Sequence, residues 1–121
     1  MEVTMYWYPK CGTCRSAMKW LKAHGYTVNE VHIVEKPPTV PVLKEMIAKS
    51  GLELKKWFNV SGNVYKDMGL KDKLPAMTEA EKLKLLASNG MLVKRPIVTD
   101  GNRVTIGYKE DQYEQVWGSA E

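Results

Sequence analysis

The two cysteines of the chain, Cys11 and Cys14, lie three positions apart in the stretch YPKCGTCRSAMKWLKAHG. Two thiols at this spacing could be buried core residues, half of a zinc site, or a redox pair that forms an internal disulfide. A zinc site needs two further ligands, but there is no other cysteine, and His24 and His32 lack the spacing of a zinc finger. The spacing therefore favours a redox pair, and we expect no bound metal.

The predicted helix around the cysteines gives the two thiols different roles. The apolar residues take a helical period from residue 12 onward, which places Cys11 at the helix N-cap and Cys14 one turn inside, on the buried face. Unpaired N–H groups and the positive dipole end at a helix start lower the pKa of a thiol there. Residues at i and i+3 lie roughly 5 Å apart between Cα atoms, which permits a disulfide. We therefore predict Cys11 as the nucleophile and Cys14 as the resolving thiol.

The residues around Cys11 could also bind an oxyanion. Backbone amides at a helix start can cradle an anion, and a glycine there allows close approach, while flanking basic side chains add positive charge. The predicted anion-binding residues in this segment are Lys10, Gly12, Thr13 and Arg15.

A second segment, KRPIV at residues 94–98, could supply a guanidinium to the same site. Pro96 also has an ordinary structural explanation, because a proline at the head of a strand has no N–H for the ladder. In the predicted sheet, however, this strand pairs beside the first strand, which places Arg95 and Pro96 next to Cys11. Since an arginine there would stabilise a thiolate or an oxyanion, Arg95 is a predicted catalytic residue and Pro96 a predicted substrate contact.

The elements that must position these residues begin with a βαβ unit. Alternating and helical apolar periods predict a strand over 2–8, a helix over 12–24 and a strand over 27–34. Helical pieces follow between residues 41 and 90, one of them with a capping box at Thr78 and Glu81. A hairpin around residues 100–102 and a terminal helix over 109–117 complete the series. This order predicts an α/β, thioredoxin-like (glutaredoxin-like) fold: a mixed four-stranded sheet with a helical insertion.

The length and composition indicate one globular domain. We place the thioredoxin-like core at about residues 1–36 and 91–121 and the insertion at about residues 37–90 of the 121. There is neither an apolar run that could span a bilayer nor a secretory signal, so we expect a cytoplasmic protein. The net charge of +4 comes from lysines scattered among acidic residues, which argues against direct binding of nucleic acid.

The sequence resembles the ArsC/Spx family of thioredoxin-like proteins over nearly its whole length. The resemblance implies that Cys11 is the nucleophile, that the peptide bond before Pro96 is cis, and that Arg95 contacts the anion or the thiolate. We expect no bound cofactor, only an external thiol reductant such as glutathione with glutaredoxin, or thioredoxin. The matching stretches, in order and at family spacing, are YWYPKCGTCRSAMKWL, KPPTVPVLKEMI, KKWFNVSGNVYKDMGL and MLVKRPIVTDGNRVTIGYKED.

Two branches of this family imply different functions. Its glutaredoxin-dependent arsenate reductases use further arginines around the arsenate, where this sequence has Asn59 and Ile106-Gly107, and they usually carry another residue in place of Cys14. Its Spx branch has a CxxC switch and binds the C-terminal domain of the RNA polymerase α subunit. We therefore predict a thiol–disulfide oxidoreductase resembling arsenate reductase, with a thiol redox protein or glutathione as its partner. The alternative is an Spx-type redox-switched regulator that binds RNA polymerase.

Overall fold

The first strand of the chain lies inside a four-stranded sheet in the computed structural model, which describes residues 1–118. The strands are β1 (Glu2–Trp7), β2 (Thr27–His32), β3 (Ile97–Thr99) and β4 (Val104–Ile106). Their order in the sheet is β2-β1-β3-β4. Strands β1 and β2 run parallel, while β3 is antiparallel to both of its neighbours. The predicted mixed four-stranded sheet is confirmed.

Helices account for most of the remaining chain. They are α1 (Gly12–Ala23), α2 (Val40–Ser50), α3 (Asn63–Asp67), α4 (Leu70–Lys73), α5 (Glu79–Ser88) and α6 (Glu110–Val116). Single 3₁₀ turns lie at Leu54–Trp57, Leu74–Ala76 and Gly90–Leu92. Within residues 1–118, none of these helices combines the length and the apolar character needed to cross a membrane.

These elements form two compact units. One contains Met1–His32 and the chain from Arg95 onward, and the other contains Ile33–Lys94. The first unit therefore holds the sheet with α1 and α6, and the second holds α2 to α5. The assignment of the whole chain to a single domain stays a prediction, and residues 119–121 of the predicted core lie outside the described residues.

The core of the first unit joins the sheet to its two helices. The alternation predicted for β1 turns Val3 and Met5 inward, and both are almost fully buried. They share one apolar cluster with α1, β3 and α6, which explains why α1 is apolar along one face only. The other buried members of this cluster are Ala17, Met18, Trp20, Leu21, Tyr26, Val98, Tyr113 and Trp117.

The hairpin between β3 and β4 fastens the end of α6 through Arg103. Its guanidinium donates to the Asp100 carboxylate, with Nε and Nη2 at 3.0 and 2.8 Å from Oδ2, and Nη1 donates to the Val116 carbonyl at 2.5 Å. The same guanidinium lies 4.8 Å from the ring centroid of Trp117. The indole N–H of Trp117 in turn donates to Thr105 Oγ1 at 3.1 Å. The terminal helix is thereby tied to the sheet by polar as well as apolar contacts.

The second unit is built from short helices with well-formed ends. Helix α5 has the predicted capping box, in which Thr78 and Glu81 accept each other's backbone N–H, and α2 ends at Gly51 in the left-handed conformation (φ 71°). Gly90 lies so close to the backbone of Ile33 that a Cβ would stand 2.1 Å from the Ile33 carbonyl oxygen. That position therefore requires glycine.

Two predicted strands end earlier than the sequence indicates. Strand β1 ends at Trp7, because the Tyr8 carbonyl accepts the N–H of Cys11 (2.9 Å) and the chain turns into α1. Strand β2 ends at His32, which is the register partner of Trp7, and not at residue 34. The prediction was too long at these ends, since the pairing of β2 with β1 stops where β1 ends.

Candidate active site

Cys11 lies at the N-cap of α1. Its backbone is extended (φ −89°, ψ 120°), and the helix begins with Gly12. Its N–H donates to the Tyr8 carbonyl, and its own carbonyl accepts the N–H of Arg15 at 3.1 Å, the first hydrogen bond of the helix. The side chain is half-buried, and neither cysteine is in a disulfide. The predicted N-cap position is confirmed.

The surroundings of Cys11 favour its thiolate. Partial burial raises the pKa of the Cys11 thiol, but hydrogen bonds from the backbone and the thiol of Cys14, together with the charge and a hydrogen bond of Arg95, outweigh it and lower the pKa below its usual value. Each of these groups is a donor or a positive charge beside sulfur, and therefore stabilises the anion. The reactive form of the thiol is thus favoured where it is half-open to solvent.

The surroundings of Cys14 have the opposite effect. Cys14 is fully buried on the inner face of α1, and this burial raises its pKa to about 12. A hydrogen bond with the Tyr8 backbone and the charge of Arg95 lower the pKa, whereas the hydrogen bond to Cys11 and the Cys11 charge raise it further. Cys14 therefore stays a protonated thiol that donates to the Cys11 sulfur.

Arg95 and Pro96 directly precede β3, the strand next to β1. The peptide bond between them is cis, as the family resemblance implies. In the antiparallel register of β1 and β3, Tyr6 pairs with Ile97, so the residues just before β3 face those just after β1. Arg95 is half-buried, and its guanidinium contacts the Cys11 thiol. The structure thus brings Cys11, Cys14 and Arg95 together, with Pro96 next to Arg95 in the chain.

The remaining predicted site residues lie on the exposed side of the helix start. Lys10, Gly12 and Thr13 are all exposed. Arg15 is exposed too, but its Nη1 donates to the Pro9 carbonyl at 3.0 Å, so its guanidinium is engaged with the loop. An added Cβ on Gly12 would meet nothing closer than Arg15 Nη2, at 3.8 Å. The structure therefore leaves room beside the Gly12 Cα, and anion binding by the amides of the helix start stays a prediction.

Acidic, histidine and cysteine side chains are the usual protein ligands of a metal ion such as zinc. Within residues 1–118, no three or more of them converge in a way that could hold a metal ion.

Sequence reasoning missed one residue of this site, Tyr8. Its ring lies beneath the Arg95 guanidinium, with Cζ 5.6 Å from the ring centroid. The signal that could have found it is the strand register. Continuing the pairing of Tyr6 with Ile97 by two residues places Tyr8 opposite Arg95.

A sheet of this order, with a cysteine at the N-cap of the first helix and a cis-proline before β3, defines a protein of the thioredoxin-like class. A family model described as the ArsC family matches residues 6–116. The chain therefore belongs to the ArsC family.

Several curated proteins are similar to this chain over most of its length. The uncharacterized protein YusI of Bacillus subtilis (strain 168) is 59% identical over 117 residues, which cover 97% of this chain and 99% of YusI. The regulatory protein MgsR of the same organism is 33% identical over 88% of this chain and 83% of its own. The global transcriptional regulator Spx 1 of Oceanobacillus iheyensis is 29% identical over 91% and 82%.

Solved structures include close relatives in fold. An ArsC family related protein from Bacteroides fragilis superposes with a TM-score of 0.90 at 46% identity, covering 95% of this chain and 97% of that one. An arsenate reductase from Vibrio cholerae gives a TM-score of 0.81 at 26% identity, covering 96% and 95%. The family thus contains proteins named as reductases and proteins named as regulators.

Proposed function

We propose that this protein is a cytoplasmic thiol–disulfide oxidoreductase similar to the glutaredoxin-dependent arsenate reductases. The observation that carries the proposal is that the pKa values of two neighbouring thiols are shifted in opposite directions. Donors and a guanidinium lower the pKa of Cys11, while burial holds Cys14 protonated with a pKa of about 12. A pair of this kind has one attacking and one resolving member.

The first step is attack of the Cys11 thiolate on one sulfur of a substrate disulfide. The new Cys11–substrate disulfide forms as the substrate S–S bond breaks, and the other substrate sulfur leaves as a thiolate. Cys14 is already hydrogen-bonded to the Cys11 sulfur, so it is placed to attack next. It loses its proton to the departing thiolate, forms the Cys11–Cys14 disulfide and releases the second substrate sulfur.

Two electrons have then passed from the cysteine pair to the substrate, and an external dithiol or two molecules of a monothiol must return them. We propose glutathione with glutaredoxin, to which the family resemblance points, or thioredoxin as this reductant. An oxyanion such as arsenate is the other substrate class. The amides of Gly12 and Thr13 and the guanidinium of Arg95 would bind its oxygens while Cys11 attacks the arsenic and one arsenate oxygen leaves as water. Attack of Cys14 on the Cys11 sulfur would then break the S–As bond, form the Cys11–Cys14 disulfide and release arsenite, with the two electrons supplied by the cysteine pair.

A steady-state assay tests the proposal. NADPH oxidation is followed with a mixed disulfide of glutathione or with arsenate as the substrate, and with each reductant system in turn. We expect turnover with at least one combination, none for Cys11→Ser, and a trapped mixed disulfide by mass spectrometry for Cys14→Ser. Full turnover by Cys11→Ser would overturn the proposal, and so would the absence of turnover in every combination.

A second function is favoured by the relatives named as regulators, MgsR and Spx, which match about nine-tenths of this chain. In this alternative the cysteine pair is a switch, and the protein binds the C-terminal domain of the RNA polymerase α subunit in one redox state. The test is a pull-down of that domain with reduced and with oxidised protein. Cys14→Ser, which cannot form the internal disulfide, serves as the control. Redox-dependent capture without turnover would establish the regulator in place of the enzyme.

A further inference from the structure

Tyr8 contacts Cys11, Cys14 and Arg95, and its side chain has no role in the steps above. Its carbonyl accepts the N–H of Cys11 at 2.9 Å, and its backbone forms a hydrogen bond with the Cys14 thiol. Any residue could supply these two contacts. The third contact needs an aromatic side chain, because the Arg95 guanidinium lies over the ring, 5.6 Å from its centroid.

We propose that Tyr8 is a positioning residue whose ring face holds the Arg95 guanidinium against the Cys11 sulfur. A cation within about 6 Å of a ring centroid is attracted by the ring quadrupole. This attraction does not consume the N–H donors of the guanidinium, so Arg95 can lie on the ring and still donate to sulfur. The proposal rests on the proposed function only in taking Cys11 as the attacking thiolate.

The strands fix the ring where this contact requires it. Tyr8 directly follows β1, and the register of β1 with β3 carries it opposite Arg95, the arrangement in which cross-strand side chains meet. On its other side the ring meets His32 at the end of β2, edge to face, with centroids 5.6 Å apart and planes at 82°. A ring held from two neighbouring strands is a rigid support for a flexible arginine side chain.

The first experiment measures the rate at which Cys11 reacts with a small aromatic disulfide as a function of pH. The midpoint of this profile reports the pKa of the Cys11 thiol, because the thiolate is the reacting form. We expect Tyr8→Leu to raise the midpoint by roughly half a pH unit, since an exposed cation–π contact is worth about a factor of two to five. Tyr8→Phe keeps the ring and should keep the wild-type midpoint. Tyr8→Met, which also lacks the ring, gives the same comparison if Tyr8→Leu folds poorly by circular dichroism.

The second experiment shows whether Tyr8 acts through Arg95. In an Arg95→Ala background, Tyr8→Leu should leave the midpoint unchanged, because the cation that the ring holds is gone. An equal shift in both backgrounds would overturn the proposal, and so would a Tyr8→Leu midpoint equal to that of wild type. These results are independent of turnover. If the midpoint of Cys11 shifts in Tyr8→Leu but the protein shows no turnover, the proposed enzymatic function is wrong and the role of Tyr8 still stands.

Discussion

Removal of the Arg95 guanidinium should raise the pKa of Cys11 by about one unit. A hydrogen bond to a charged group contributes about 1.5–3 kcal/mol, and the lower end applies because Cys11 is half-open to solvent, which screens the charge. At 1.36 kcal/mol per pKa unit, about 1.5 kcal/mol corresponds to one unit. The N–H and thiol of Cys14 still contact Cys11 in Arg95→Ala, so the variant loses only part of the lowering of the Cys11 pKa.

The rate profile of Arg95→Ala should cross that of wild type. Below both midpoints the thiolate fraction falls about tenfold, but a more basic thiolate is about threefold more nucleophilic toward a disulfide, so the rate falls roughly threefold. Above both midpoints the variant should react about threefold faster. Stopped-flow absorbance with 4,4′-dithiodipyridine measures both limbs, and mass spectrometry confirms that Cys11 is the thiol attacked.

The matched control is Lys22→Ala, which removes one positive charge from the exposed last turn of α1. It should leave the midpoint in place, because a solvent-exposed charge beyond about a Debye length is screened. Profiles of Arg95→Ala and wild type that coincide would refute the reasoning. A shift of equal size in Lys22→Ala would show that net charge acts in place of the contact.

Three further predictions concern stability. Because burial raises the pKa of Cys14 to about 12 from its ordinary value of 9.0, the unfolded state loses this proton first as pH rises. Urea unfolding should therefore show wild type losing up to about 1 kcal/mol of stability per pH unit relative to Cys14→Ala between pH 9 and 11, and parallel curves would contradict the buried thiol. Gly90→Ala should lower the urea midpoint strongly, since its Cβ would meet the Ile33 carbonyl oxygen at 2.1 Å. The control Gly12→Ala, whose Cβ would meet nothing closer than 3.8 Å, should not lower it. Equal midpoints for the two variants would refute the close approach of Gly90 to Ile33. Arg103→Ala should lower the free energy of unfolding by about 2 kcal/mol through loss of its hydrogen bonds to Asp100 and Val116, with an unchanged urea m-value. An unaltered urea midpoint would show that these hydrogen bonds do not stabilise the position of α6.

The sequence carried enough local information to predict where the two cysteines lie on α1. A helical apolar period that starts at residue 12 makes Cys11 the N-cap and directs Cys14 inward, and both follow from chain geometry alone. The same holds for the capping box at Thr78 and Glu81. These features depend on residues within one or two turns, so no tertiary information was needed.

The contact between Tyr8 and Arg95 could not be predicted in the same way. The two residues are distant in the chain, and they meet only because β1 pairs with β3 in one register out of several. A slip by one residue would turn each side chain to the other face of the sheet. The length of β2 depends on the same kind of information, since the pairing of β2 with β1 stops at Trp7 and His32, where β1 ends. The fold plan was enough to predict that β3 pairs beside β1 and brings Arg95 to Cys11, but no local pattern reveals the register that decides which side chain faces Arg95.

The two proposed functions share one chemical event and differ in what responds to it. Oxidation joins Cys11 and Cys14, so the thiolate charge that Arg95 contacts disappears and the proton that Cys14 holds is released. The charge of the site at the N-terminus of α1 then becomes more positive by one unit. In an enzyme this state is an intermediate that a reductant must remove quickly, while in a regulator it must persist long enough for a partner to bind. The lifetime of the Cys11–Cys14 disulfide under a glutathione or thioredoxin system is therefore the quantity that separates them.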